Sequence, residues 1–219
     1  MKRLVLITLV LVLICSVSVS AENNFEFSAG AIEGQNIEDF IPGAKVKLTT
    51  DAMNYNDLYD LVELTSTFGV DDPNYSFISS DLIFYSRLGE LETNNKYFGL
   101  GFKHLFLDNT LASNFIFNSD ITAYGVPVGL KLEENYGTYN AFFNGSVFKG
   151  LYEMTVPGDD ARASFSGYDI DVGIKFNLDQ FDLQVSYKQE NYSFAGDSDI
   201  IGAEDFDDDY RGVFAGLYF

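Results

Sequence analysis

The side chains with which this chain could do chemistry are mostly carboxylates and amines. It has 33 Asp and Glu against 13 Lys and Arg, a formal net charge of −20, and a single histidine and a single cysteine in 219 residues. Nucleophilic triads need a base beside the nucleophile, and zinc sites draw on several His or Cys residues. Cys15 stands alone, which excludes an intrachain disulfide. His104 alternates in step with Phe98, Leu100, Phe102 and Phe106, so it is expected on the apolar face of a strand, as an amphipathic residue without a catalytic network. Asp169 and Asp171 form a spaced carboxylate pair, but Lys175 follows four residues on. Ion pairing accounts for such a group better than acid–base catalysis does. No phosphate-binding loop or nucleophile motif is present. No catalytic residue, metal ligand or cofactor is therefore expected.

The densest acidic stretch holds Asp197, Asp199, Glu204, Asp205, Asp207, Asp208 and Asp209. It lacks the spaced ligands and central glycine of an EF-hand loop. A solvated loop of this charge repels nucleic acid and could gather cations or meet a basic extracellular ligand. Adaptation to a saline habitat accounts for the same charge equally well.

The elements that must position these groups are strands. In residues 166–178, Tyr168, Ile170, Val172, Ile174 and Phe176 share one face, and Gly167, Asp169, Asp171, Gly173 and Lys175 share the other. Phe181, Leu183, Val185 and Tyr187 then oppose Asp182, Gln184, Ser186 and Lys188, and Tyr124, Val126, Val128, Leu130 and Leu132 oppose Gly125, Pro127, Gly129, Lys131 and Glu133. Period two is the signature of a strand with two unlike faces. Similar alternation occupies residues 25–32, 44–49, 78–88, 97–106, 111–118, 139–148 and 210–219, which makes ten strands, or eight if the weakest merge. Residues 51–76 are ambiguous. Leu58, Leu61 and Val62 have helical spacing behind Asn and Asp caps, while residues 65–68 have strand composition.

The chain opens with Lys2 and Arg3, an apolar run over residues 4–14, and small residues ending in Val19 and Ala21. This pattern predicts a secretory signal peptide over residues 1–21, cleaved after Ala21, with residues 22–219 as one domain. A retained N-terminal anchor is the alternative. Connections read as alternating in length: residues 89–95, 154–163 and 196–209 as long, and the pairs Asp108-Asn109 and Asp179-Gln180 as short turns. Such alternation, with charge on one strand face and Phe, Val and Leu on the other, predicts an all-β, antiparallel, up-and-down transmembrane β-barrel of 8–10 strands. A soluble barrel would place its apolar face inside and its charges outside.

On that assignment the inward charges are Lys45, Lys47, Arg87, Lys103, Lys131, Lys175 and Lys188 against Glu26, Asp81, Glu133, Asp169, Asp171, Asp182 and Glu190. A small barrel has an interior that side chains fill, and buried charge persists when paired. A mutually neutralising lumen network is expected, with Lys175 paired to Asp169, Asp171 or Asp182.

The last residues present Val213, Ala215, Leu217 and Phe219 on one face and end in Phe. They resemble the C-terminal signal that outer-membrane barrels show to the barrel-assembly machinery. With the leader, the chain resembles the small bacterial outer-membrane β-barrels of OmpA-like and OmpW-like architecture. The resemblance implies a bacterial outer-membrane location, with membrane lipids and the assembly machinery as partners, and carries over no catalytic residue. A monomer is expected. Two functions stay open: a structural or surface-interaction barrel with a filled, charge-balanced lumen, and a narrow porin-like channel for small polar or ionic solutes.

Overall fold

The computed structural model describes residues 23–34, 40–51, 58–71, 75–88, 94–110, 119–156, 159–178, 182–196 and 205–219. The expected leader with Val19 and Ala21 lies outside these residues, as do residues 111–118 and 197–204. The strands are β1 (Asn23–Gly34), β2 (Ile41–Asp51), β3 (Leu61–Asp71), β4 (Tyr75–Arg87), β5 (Asn94–Thr110), β6 (Ser119–Asn135), β7 (Tyr139–Val156), β8 (Asp159–Asn177), β9 (Asp182–Phe194) and β10 (Phe206–Tyr218).

Each strand pairs antiparallel with its sequence neighbours, and β1 pairs with β10 to close the barrel. Closure gives the backbone partners on both sides of every strand, which lipid requires because it offers none. Tight turns sit where the chain supplies the right residue. Between β6 and β7, Gly137 adopts φ 86°, a left-handed conformation that costs glycine little, and its N–H donates to Asn135 Oδ1 at 2.7 Å.

The tenth strand is not where the alternation placed it. β3 occupies the ambiguous stretch, paired from Leu61↔Tyr85 to Asp71↔Tyr75, and residues 111–118 lie outside the described residues. Helical spacing of Leu61 and Val62 is overridden because Glu63, Thr65, Thr67 and Gly69 form a polar, small inward row between β2 and β4.

The connection lengths also differ from those read off the sequence. Asp108 and Asn109 lie within β5, which pairs with β6 as far as Thr110↔Ser119 after a register shift beyond Leu107. The expected long loop over residues 154–163 is mostly strand, since β7 and β8 stay paired as far as Val156↔Asp159. β10 begins at Phe206, so Asp207, Asp208 and Asp209 are strand residues and Asp208 is fully buried.

These extensions make β5, β6, β7 and β8 17, 17, 18 and 19 residues long, whereas a tilted strand crosses a bilayer in about 9–11. The surplus projects at one end, here called the far end. The opposite, near end holds Asn23 and Phe219, where Phe25 N donates to Phe219 O at 3.0 Å.

The outer face carries a band of exposed Phe27, Phe98, Leu100, Phe102, Val126, Val128, Val172, Ile174, Val185, Val213 and Leu217. Toward the far end the band gives way to Tyr168, Tyr187 and Gln189, linked when Tyr187 Oη donates to Gln189 Oε1 at 3.3 Å and Gln189 Nε2 to Tyr168 Oη at 3.2 Å. Beyond them come outward ion pairs, Arg211–Glu33 at 2.6 Å and Arg162–Glu153 at 2.9 Å. An apolar belt bounded by amphipathic aromatics and then charge is the profile of a barrel wall crossing lipid into water.

Candidate functional site

The inward faces build a lumen of two unlike halves. Strands that run toward the far end bring Ile32, Leu105, Leu107, Tyr152, Met154, Tyr192 and Phe194, and strands that return bring Ile41, Phe77, Ile121, Phe165, Phe206, Tyr210 and Phe214. These residues pack into one buried apolar cluster across the far end. Phe194 stacks on Phe206 with centroids 4.6 Å apart and Phe77 on Tyr210 at 4.5 Å, while Phe148 and Phe165 meet tilted at 5.6 Å. Charges inside and apolar groups outside was therefore the right expectation for the near half alone. In the far half it is the inward face that is apolar, because the projecting strands meet each other across the barrel.

Below this layer lies a node of five charges. Lys103 Nζ sits 2.9 Å from Asp81, 3.6 Å from Asp169 and 3.1 Å from Ser79 Oγ. Lys188 Nζ sits 2.7 Å from Glu190, 3.3 Å from Asp169 and 2.9 Å from Thr67 Oγ1. Tyr192 donates to Glu190, and its hydroxyl also lies 3.1 Å from Ser79 Oγ. Oxygens of Asp81, Asp169 and Glu190 come within 4.8 Å of one another, an arrangement that could hold a metal ion. Two ammonium groups already stand among them and supply the counter-charge. Lys103 also lies 4.8 Å from the Phe148 ring centroid, joining the node to the aromatic layer.

A second group centres on Lys45, 2.9 Å from Asp171, 3.3 Å from Glu26 and 2.8 Å from Ser186 Oγ. Gln184 Nε2 donates to Glu26 at 2.5 Å. A third group centres on Glu63, whose Oε2 receives Lys131 at 2.7 Å and Lys47 at 3.0 Å, and Lys131 also reaches Glu133 at 3.2 Å. Glu63 is absent from the expected network because residues 51–76 stayed open between helix and strand; its parity with Thr65 and Thr67 was the available signal. Three of these pairs, Lys45–Asp171, Lys103–Asp169 and Lys131–Glu63, join non-adjacent strands, which a sequence cannot pair.

Three residues of the expected network sit elsewhere. Arg87 is exposed at the near rim, where its Nη2 donates to Tyr97 Oη at 3.2 Å. Asp182 faces Asn177 at the strand end and accepts from Leu178 N at 3.3 Å. Lys175 is buried but makes no ion pair among the described residues; its Nζ lies 3.9 Å from the Tyr218 ring centroid and 5.4 Å from that of Phe142. Asp169 and Asp171 are farther up the same strand and are held by Lys103, Lys188 and Lys45, so they are out of its reach.

Room for these side chains comes from small inward residues. Tyr85 lies across Gly99 and Gly129, and a Cβ at Gly129 would stand 3.2 Å from its hydroxyl. A cavity of about 30 Å³ remains, lined by Glu63, Asp81, Asn144, Asp169, Asp171 and Lys188 together with Ile83 and Tyr85. His104 points outward and packs its ring against Tyr124, centroids 5.1 Å apart.

A closed ten-stranded antiparallel barrel with an apolar outer belt is the observation that places the chain among known folds. It has the fold of a small outer-membrane β-barrel. The outer-membrane protease OmpT from Escherichia coli is 9% identical, aligned over 92% of this chain and 97% of that one, with a TM-score of 0.58. Neisserial surface protein A is 8% identical over 90% and 95%, at TM-score 0.37. Ail, the attachment invasion locus protein of Yersinia pestis, is 13% identical over 90% and 99%, at TM-score 0.32. No protein-family model and no curated protein sequence matches the chain. At 9% identity the likeness to OmpT is one of fold alone.

Proposed function

We propose that this chain is an integral outer-membrane barrel of a diderm bacterium that is closed to solutes and acts through its far end as a structural or surface-interaction protein. The observation that carries the reading is the aromatic layer. Phe77, Leu105, Leu107, Ile121, Met154, Phe165, Phe194 and Phe214 are each at most 1% exposed, and a dry apolar constriction resists ions by excluding water.

Insertion follows from the belt, and the far end, with its projecting strands and the acidic residues Asp197, Asp199, Glu204 and Asp205 between β9 and β10, then faces the outside. A basic partner or cations would meet it there. Val213, Ala215 and Leu217 are exposed on the outer face and Phe219 extends their line, as an assembly signal must. Residues 1–21 act as the leader, and the barrel works as a monomer. A role without catalysis is supported by His104, which lies on the lipid-facing wall beside Tyr124, and by the burial of Ser79 beside Lys103, where no substrate reaches.

The narrow-channel alternative is favoured by one observation, the cavity in the near half. Planar-bilayer recording separates the two. Refolded protein with heat-modifiable migration should give no steady conductance; stable conductance steps from every insertion would reject the closed barrel.

A further inference from the structure

Five buried side-chain oxygens lack a hydrogen-bond partner among the described residues. Glu190 Oε1 is ion-paired to Lys188 at 2.7 Å, and the other four, Glu26 Oε2, Asn140 Oδ1, Asn144 Oδ1 and Gln184 Oε1, face the lumen. Glu26 and Gln184 are 0% and 1% exposed. Their other atoms are engaged, since Gln184 Nε2 donates to Glu26 Oε1, so the orphaned oxygens call for donors from outside the chain. Asn140, Lys175 and Gln184 are in register across β7, β8 and β9, and Lys175 brings an ammonium without a carboxylate to the same level. Asn144 is in register with Asp171 one level higher and lines the cavity there. Buried acceptors of this kind are ordinarily satisfied by internal water. A cavity of about 30 Å³ has room for about two such molecules.

Access is one-sided. At the near end the Glu133 side chain is 31% exposed, while Leu105, Leu107, Ile121 and Met154 in the far half are at 0%. None of the four orphaned oxygens belongs to the aromatic layer. We infer that the ionic half of the lumen binds a column of water entered from the near, periplasmic end and stopped blind by the aromatic layer. The column rests on the closed-barrel reading and adds to it which half closes the barrel. Along it, seven carboxylates (Glu26, Glu63, Asp81, Glu133, Asp169, Asp171, Glu190) face six lysines (Lys45, Lys47, Lys103, Lys131, Lys175, Lys188), so the pathway behind the seal favours small cations.

The test removes the seal and leaves the charges in place. Phe148→Ala with Phe165→Ala opens the ring pair above Lys103. In a planar bilayer under a KCl gradient, the double variant should conduct, with its reversal potential shifted toward that of K⁺. A folded, heat-modifiable double variant that stays silent, or that favours chloride, overturns the inference. Wild-type conductance would instead overturn the closed-barrel reading, so the two failures are distinct. Should the variant not fold, the wild type decides: water–protein NMR cross-relaxation should reach the side-chain amides of Gln184 and Asn144, and its absence at both overturns the column.

Discussion

Glu63 is the residue on which the near half of the lumen turns. One of its oxygens accepts both Lys131 and Lys47, at 2.7 and 3.0 Å, and all three side chains are almost fully buried. Removing one member of a buried pair leaves uncompensated charge and costs about 3–5 kcal/mol when the pair is well desolvated. Glu63→Ala strands Lys47 and leaves Lys131 only Glu133, and it should fall within that range, read as the loss of unfolding free energy in a urea titration of the folded barrel. Lys175 provides the contrast. It holds aromatic rings in place of a carboxylate, so Lys175→Met forfeits a cation–π contact of about 2 kcal/mol and gains apolar packing on Phe142 and Tyr218. Its loss in the same titration should stay below about 2 kcal/mol; a cost equal to that of Glu63→Ala would mean that Lys175 serves the ion network after all.

Among the elements, the β6–β7 turn and the last strand make separate demands. Gly137 at φ 86° stands where a β-branched residue is strained by about 1–2 kcal/mol. Gly137→Val should lower stability by that amount and leave the pairing Asn135↔Asn140 intact, measurable as an unchanged strand signal in circular dichroism with a lower urea midpoint. β10 closes the barrel against β1 through nine residue pairs, Glu26↔Tyr218 to Gly34↔Tyr210. Phe219 adds two backbone hydrogen bonds to Phe25 beyond them. Deleting Phe219 removes both, along with the terminal aromatic of the outward face. The folded outer-membrane fraction in cells should fall while export continues, and an unchanged folded yield would deny this terminus an assembly role.

At the scale of the molecule, direction follows from strand parity. Asn23 and Phe219 lie at the near end, so the connection between β9 and β10 leaves from the far end. In a Cys15→Ser background, Ser198→Cys should react with an impermeant maleimide on intact cells. Labelling that appears only after the outer membrane is breached would reverse the orientation and place the water-filled half outside. The two halves of the lumen also predict different responses to truncation. Phe194→Ala, in the stacked layer against Phe206, should cost about 3–5 kcal/mol as a buried aromatic loss, with no change in salt dependence, whereas the cost of Glu63→Ala should shift with ionic strength.

Much of this protein is determined locally. Alternation with period two is a property of consecutive residues, and it placed Lys45, Lys47, Asp81, Lys103, Lys131, Asp169, Asp171 and Lys188 on the inward face before any strand was paired. It failed where local cues competed. In residues 58–64 a helical spacing of Leu58, Leu61 and Val62 masked the polar row begun by Glu63. Near Asp108-Asn109 turn-forming residues lay inside a strand that its neighbour holds extended. The tertiary structure alone decided which lysine meets which carboxylate, because Lys45 reaches Asp171 and Lys131 reaches Glu63 across the lumen, and that depends on how far each strand is sheared past the next. It also decided that the far half is apolar within. Nothing local to Phe165, Tyr192 and Phe194 marks them as a seal; they become one when closure points them at one another, for an inward apolar side chain has no lipid to face and must pack against the opposite wall.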